Sequence, residues 1–286
     1  MEIKRCCVIG GGRMGRQIAL NAAIHGFPTV VYDVSEAVRK DVADWSEEYL
    51  AGRVAKWRLS QDQVDQIKGI FRVESDLAQA VTGADCVIEA IVEIEGVKRE
   101  LFRQLSDILP EETIIATNSS FMVSSTFAND VKNPARLCNM HFYNPALVLK
   151  CVEVVQGAHT SEETATAVYD FALATGKKPI MMKKEFPGFV GSFVYSGLLN
   201  NAKHLVQNGY CTVEEVDIAM EYGYGLPMGP FRLNDLTGID LAFNVMQKKY
   251  QETGIKPDMY DTYEEMVKQG RVGKRVGHGF YDYEST

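Results

Sequence analysis

The stretch Cys6-Cys7-Val8-Ile9-Gly10-Gly11-Gly12-Arg13-Met14-Gly15, with Val30-Val31-Tyr32-Asp33 behind it, decides the fold. An apolar run enters a glycine turn. A helical pattern follows (Ile18, Leu20, Ala22, Ala23) and closes at His25-Gly26, and a second apolar run ends on an acid. Strand, tight turn, helix and second strand come in the order that a pyrophosphate cradle requires. Gly10 permits the turn, Gly12 lets the main chain approach phosphates, and Gly15 lets helix and strand pack closely. Gly11, Arg13 and Met14 complete the cradle. The helix N-terminus adds free N–H groups and a partial positive charge. Asp33 is placed to accept hydrogen bonds from the two hydroxyls of an adenosine ribose. A 2′-phosphate there would meet a carboxylate at about 4 Å, a repulsion of roughly 4 kcal/mol per charge pair at an effective dielectric near 20. The expected cofactor is therefore NAD, not NADP.

The bulk numbers fit this reading. The chain has 286 residues, 46% of them hydrophobic and 24% charged, as in a soluble protein of one large or two modest domains. No apolar stretch approaches the roughly 18 residues of a membrane span, and the first apolar run reads as a strand, not as a signal peptide. Six cysteines show no C-x-x-C and no metal spacing; most lie in apolar runs, which predicts reduced core thiols in a cytoplasmic protein and no metal site. A net charge of −8 argues against nucleic acid. Arg53, Lys56 and Arg58 form a local basic patch, either a solvated helix face or a ligand contact.

Short apolar runs alternate with helical ones to about residue 185, the pattern of a doubly wound, mostly parallel α/β sheet of Rossmann type. The predicted strands are Lys4–Ile9, Thr29–Tyr32, Asp85–Ala90, Thr113–Thr117, Leu137–Phe142, Val152–Val155 and Pro179–Met182. A long polar helical region, about Glu36 to Gln66, fills the gap between the second and third. Thr160 with Glu163, Thr212 with Glu215, and Thr262 with Glu265 have the spacing of capping boxes. After Phe186-Pro187-Gly188 the texture changes to helices only, so the expected domains are 1–186 and 187–286. Phe189, Phe193, Val194, Leu198, Leu199, Ala202, Leu205 and Val206 make an apolar stripe wider than a small helical domain normally buries alone, which predicts a homodimer through this domain.

If a nicotinamide ring supplies hydride transfer, the protein must supply an acid/base and orient the substrate. Of five histidines, His25 reads as a helix cap, whereas His141 ends an apolar run at the C-terminal end of a strand, where open α/β sheets bind ligands. A histidine there serves equally as a packed side chain or as a base. Glu153, a carboxylate among apolar strand residues, is rarely left unpaired when buried. It makes a structural salt bridge, sits at an edge, or fixes the His141 ring and stabilises the imidazolium. Ser120, at another strand's C-terminal end, is placed for a hydrogen bond to the reacting oxygen or for a helix N-cap.

Several motifs in one order now resemble the short-chain L-3-hydroxyacyl-CoA dehydrogenase family, which includes bacterial 3-hydroxybutyryl-CoA dehydrogenases. They are the glycine turn, Glu89-Ala90-Ile91-Val92-Glu93, Asn118-Ser119-Ser120, His141-Phe142-Tyr143-Asn144-Pro145, Val152-Glu153-Val154, Pro187-Gly188-Phe189, Pro227-Met228-Gly229-Pro230-Phe231 and Gly279-Phe280-Tyr281. The resemblance runs nearly end to end. It implies an NAD-dependent enzyme of fatty acid metabolism acting on a short 3-hydroxyacyl-CoA, with His141 as acid/base, Glu153 as its orienting partner and Ser120 contacting the 3-oxygen. It implies that Glu93, Lys98, Ser120 and Asn144 line the nicotinamide half of the cofactor site, and that the helical domain dimerises.

Three departures stand out. Ser192 occupies the place of an asparagine that contacts substrate in the family, and Arg275 that of a late lysine near the cofactor. The family's coenzyme A contacts are matched only loosely by Lys56 and Arg58, with Trp57 between them. A non-CoA β-hydroxy or β-diketo substrate is the rival reading, and a non-catalytic NAD-binding protein a third.

Overall fold

The computed structural model describes residues 1–284. Eight strands form one sheet among them: β1 (Cys6–Ile9), β2 (Thr29–Tyr32), β3 (Phe71–Glu74), β4 (Cys86–Glu89), β5 (Ile114–Thr117), β6 (Leu137–Phe142), β7 (Cys151–Val155) and β8 (Lys178–Met182). Their spatial order is β3-β2-β1-β4-β5-β6-β7-β8. Neighbours run parallel except β6 and β7, which are antiparallel. The helices of this part are α1 (Arg13–Ile24), α2 (Glu36–Ala55), α3 (Gln61–Ile70), α4 (Leu77–Val81), α5 (Glu95–Ile108) and α6 (Glu162–Ala174).

Alternation along the strands builds the two faces. Cys6, Val8, Ile88, Ala116 and Met140 pack with Ile18 and Ala22 of α1 and with Val168 and Phe171 of α6. Cys7, Ile9, Val87 and Ile115 pack on the other face with Phe102 and Leu105 of α5. From β1 the chain winds outward to β2 and β3, then crosses back to β4. That reversal between β1 and β4 opens the crevice where doubly wound sheets take ligands.

The expected Rossmann-type sheet is present, with four local corrections. β3 was not predicted: Phe71-Arg72-Val73-Glu74 alternates apolar and charged residues and stays partly exposed at the sheet edge, so it lacks an apolar run. The polar stretch from Glu36 is two helices, because Trp57 adopts a left-handed φ of 55° and Ser60 starts α3 with a capping box to Gln63. Thr160 does not cap α6. Its hydroxyl donates to Leu137 O at 2.6 Å and accepts from Gly157 N at 3.1 Å, leaving Ser161 as the cap. The Thr262–Glu265 box does not form either, since the helix around it begins at Tyr260.

The chain divides into two compact units, Met1–Phe189 and the residues from Val190 on. The second unit contains α7 (Phe189–Gln207) from its second residue on, α8 (Val213–Ile218), α9 (Pro230–Thr237), α10 (Ile239–Thr253) and α11 (Tyr260–Lys268). Its core gathers Leu199, Phe231, Ile239, Phe243, Tyr263 and Met266. The Thr212–Glu215 capping box forms as expected, with both reciprocal hydrogen bonds. Asp235, fully buried, accepts from the main-chain N–H of Phe280 (2.9 Å) and Tyr281 (3.0 Å) and from the Tyr283 hydroxyl (2.9 Å), tying the chain's last described segment to α9.

Candidate active site

The glycine turn has the shape that its sequence implies. Gly10 takes φ +102°, and a Cβ there would sit 2.6 Å from Ala90 O; a Cβ on Gly15 would sit 1.7 Å from Gly10 O. A Cβ on Gly12 would meet nothing within 4 Å, so the open side of the turn lies at Gly12. Exposed Gly12 is also the N-cap of α1 and brings no side chain to its first N–H groups. Arg13 is exposed beside it, while half-buried Met14 packs on the core behind.

Asp33 accepts from Gly11 N (2.8 Å) and Ser35 N (2.9 Å), which fixes its carboxylate at the mouth of the turn. A groove of about 870 Å³ starts here, bounded by Gly10, Gly12 and Asp33 and walled by Val34, Leu77 and Val97. An open phosphate turn, a fixed ribose acceptor and an apolar slot adjoining them fit an adenine dinucleotide.

β6 and β7 place the catalytic candidates directly opposite one another, His141 in register with Glu153. Nδ1 of His141 lies 2.7 Å from Oε2 of Glu153, with the histidine 5% and the carboxylate 0% exposed. With Glu153 ionised and the imidazole neutral, Nδ1 carries the hydrogen and Nε2 keeps its lone pair. The rings of Tyr143 and Phe189 flank the imidazole at 5.0 and 5.4 Å between centroids. Asn118 Oδ1 accepts from Phe142 N at 2.9 Å, locking the turn after β5 to the strand end that carries His141.

A second polar network occupies the C-terminal ends of β4 and β5. Lys98, on α5 and 1% exposed, contacts Glu89 Oε1 at 2.7 Å and Glu93 Oε2 at 3.0 Å. Thr117 donates to the other oxygen of Glu89 at 2.6 Å, and Ser119 donates to Glu93. The sequence reading missed Glu89, Thr117 and Ser119 as members of this network. Glu89 carried a weak signal, an acid closing an apolar strand, which is rarely left unpaired when buried; Thr117 and Ser119 carried none.

The remaining predicted residues lie on several different elements. Ser120 is exposed on the turn after β5, and Asn144 is exposed on the loop after β6. Lys56 caps the C-terminus of α2, and exposed Arg58 follows two residues later; between them Trp57 is 96% exposed. In the second unit, Ser192 lies on the first turn of α7, and Arg275 pairs with Asp240 at 2.7 Å. Neither of these two falls within the unit that holds His141.

Known proteins match the chain over nearly its whole length. The family model of the 3-hydroxyacyl-CoA dehydrogenase NAD binding domain matches residues 5–186, and that of the 3-hydroxyacyl-CoA dehydrogenase C-terminal domain matches residues 188–283. The chain belongs to the 3-hydroxyacyl-CoA dehydrogenase family. It is an oxidoreductase with NAD as its cofactor. A "Probable 3-hydroxybutyryl-CoA dehydrogenase" of Bacillus subtilis (strain 168) is 36% identical over 287 residues, 99% of each chain. The crystal structure of (S)-3-hydroxybutyryl-CoA dehydrogenase PaaH1 from Ralstonia eutropha superposes with a TM-score of 0.90 at 30% identity, covering 99% of this chain and 100% of that one. A diketoreductase structure superposes with a TM-score of 0.86 at 31% identity, covering 99% and 100%.

Proposed function

We propose that this enzyme interconverts a short-chain (S)-3-hydroxyacyl-CoA and the corresponding 3-ketoacyl-CoA, with 3-hydroxybutyryl and acetoacetyl groups as the working pair. The observation that carries the mechanism is the 2.7 Å contact between His141 Nδ1 and Glu153 Oε2 at directly opposed positions of β6 and β7. In the oxidising direction neutral His141 accepts the hydroxyl proton at Nε2, and Glu153 stabilises the resulting imidazolium through Nδ1–H. In the reducing direction charged His141 donates that proton to the 3-oxygen. When bound, the nicotinamide takes up or supplies the hydride at C3. Gly10, Gly11, Gly12, Arg13, Met14, Gly15 and Asp33 hold the adenosine pyrophosphate half of NAD, and Glu93, Lys98, Asn144 and Arg275 serve the nicotinamide half. Ser120 and Ser192 contact the substrate oxygen, and Lys56 and Arg58 meet the coenzyme A moiety.

NADH oxidation with acetoacetyl-CoA, run beside the matching simple keto ester and a diketone, tests this. Preference for the thioester supports the reading. Preference for the ester or diketone replaces it with the rival that the diketoreductase likeness favours. Turnover with none of the three would leave NAD binding without catalysis.

We further propose a homodimer through the helical unit, supported by Phe193 and Val194 of α7, which are 61% and 64% exposed, large apolar side chains. A solution mass equal to one chain would refute it. A cytoplasmic location is supported by six free cysteines, four of them buried thiols, which suit a reducing compartment; cell fractionation checks it.

A further inference from the structure

The segment joining His141's strand to Glu153's strand is gripped from behind by a lysine outside the site just described. Lys177 immediately precedes β8 and is 6% exposed. Lysines are almost never buried so fully unless paired, yet the hydrogen-bond partners of its ammonium are two main-chain oxygens, Ala146 O and, at 3.3 Å, Leu149 O. An apolar side chain of the same length would fill this space without losing the hydration of a charge. The ammonium therefore matters for what it holds.

What it holds is the turn that follows Asn144. Pro145 O accepts from Val148 N at 3.0 Å and Leu149 N at 2.9 Å, which curls the main chain so that two carbonyls face Lys177. On the opposite flank, Leu147 N donates to Gln17 Oε1 at 3.4 Å, and Gln17 Nε2 donates to Arg13 O at 3.0 Å. Asn21, one helical turn further along α1, donates to Thr175 O at 3.0 Å and so fixes the chain entering Lys177. The turn is thus clamped between the helix that begins at the glycine cradle and a buried cation.

We propose that Lys177 is a positioning residue: it fixes the 145–149 turn, and through it Asn144, in register with the dinucleotide cradle on α1. This rests on the placement of Asn144 beside the nicotinamide proposed above. The role explains a buried ammonium spent on main-chain oxygens, and it joins cradle and catalytic strand pair in one hydrogen-bonded frame.

Lys177→Met, Asn144→Ala and the double variant, assayed as the intact enzyme with NADH and acetoacetyl-CoA, test the proposal. Assayed well below its own melting temperature, Lys177→Met should lower kcat at least tenfold, with KM for acetoacetyl-CoA changed less than twofold. That temperature should fall modestly, because Ala146 O and Leu149 O lose their donor. In the Asn144→Ala background the same substitution should change kcat less than twofold. A kcat within twofold of wild type, a loss that merely follows a lowered melting temperature, or a full tenfold effect in the Asn144→Ala background overturns the positioning role. Asn144→Ala alone at wild-type kcat and NADH KM overturns the placement of Asn144, and the proposed route with it. Should Lys177→Met not accumulate as folded protein, Lys177→Arg, which keeps the charge but splays its donors, is read by the same quantities.

Discussion

His141 and Glu153 owe their pairing to one register. Directly opposed residues of an antiparallel pair project to the same face, so a one-residue slip of β7 would put Val152 or Val154 against the imidazole. Glu153 is fully buried, and its carboxylate oxygen lies against Nδ1 of the imidazole. Replacing it by glutamine keeps size and an acceptor oxygen but removes the charge that stabilises an imidazolium. His141→Gln should lower kcat by about 10²–10⁴, the usual worth of general acid/base catalysis, and Glu153→Gln should fall between that variant and wild type. NADH affinity, read by fluorescence titration, should stay within twofold for both. Wild-type turnover in either variant would sink the proposed roles.

At the scale of elements, the glycines of the β1–α1 turn separate into two kinds that the sequence motif does not distinguish. Gly15 is a packing glycine: its missing Cβ leaves room for Gly10 O. Gly12 has an ordinary φ of −62° and open space where a side chain would stand, which suits the cofactor contact proposed for it. Gly15→Ala should therefore destabilise the first unit by about 3 kcal/mol, the upper range for forced overpacking, even without cofactor. Gly12→Ala should melt like wild type without cofactor but bind NADH at least tenfold more weakly, about 1.4 kcal/mol. Melting curves and NADH titrations of the two variants would show whether fold and cofactor affinity separate in this way.

At the scale of the whole molecule, stability carries a pH signature set by burial. Burial pushes the thiols of Cys6 and Cys138 up to about 12 and raises those of Cys7 and Cys86 strongly as well, whereas it pulls Lys177 down to about 8. Between pH 9 and 10 these four thiols ionise in the unfolded chain but stay protonated in the folded one, so folding takes up as many as four protons and rising pH works against it. Lys177 works in the opposite sense by one proton, being neutral when folded and charged when unfolded. All five groups lie in the first unit. The thiols outnumber the lysine, and Cys151, raised in the same sense, adds to them, so the stability of this unit falls as pH rises across this interval. Urea unfolding followed at pH 8, 9 and 10 should show the decline, and Cys86→Ala should flatten it. A stability that holds level or rises over this range would contradict the assignment.

What could be read from the sequence was local in origin. The glycine turn with Asp33 at the next strand end, the apolar strand runs and the Thr212–Glu215 box are each set within a few residues by main-chain sterics, side-chain period and capping chemistry, and they sufficed for the α/β class and the cofactor. β3 escaped because an edge strand buries too little to need an apolar run, and the Thr160 box failed because a distant carbonyl, Leu137 O, claims that hydroxyl. Tertiary structure alone decided the pairing of His141 with Glu153, the lysine that bridges Glu89 and Glu93, and the grip of Lys177 on the turn at Ala146. Each depends on side chains from different strands, helices and turns meeting in a dry interior. There an unpaired charge is costly enough that its partner is fixed by packing and not by chain order.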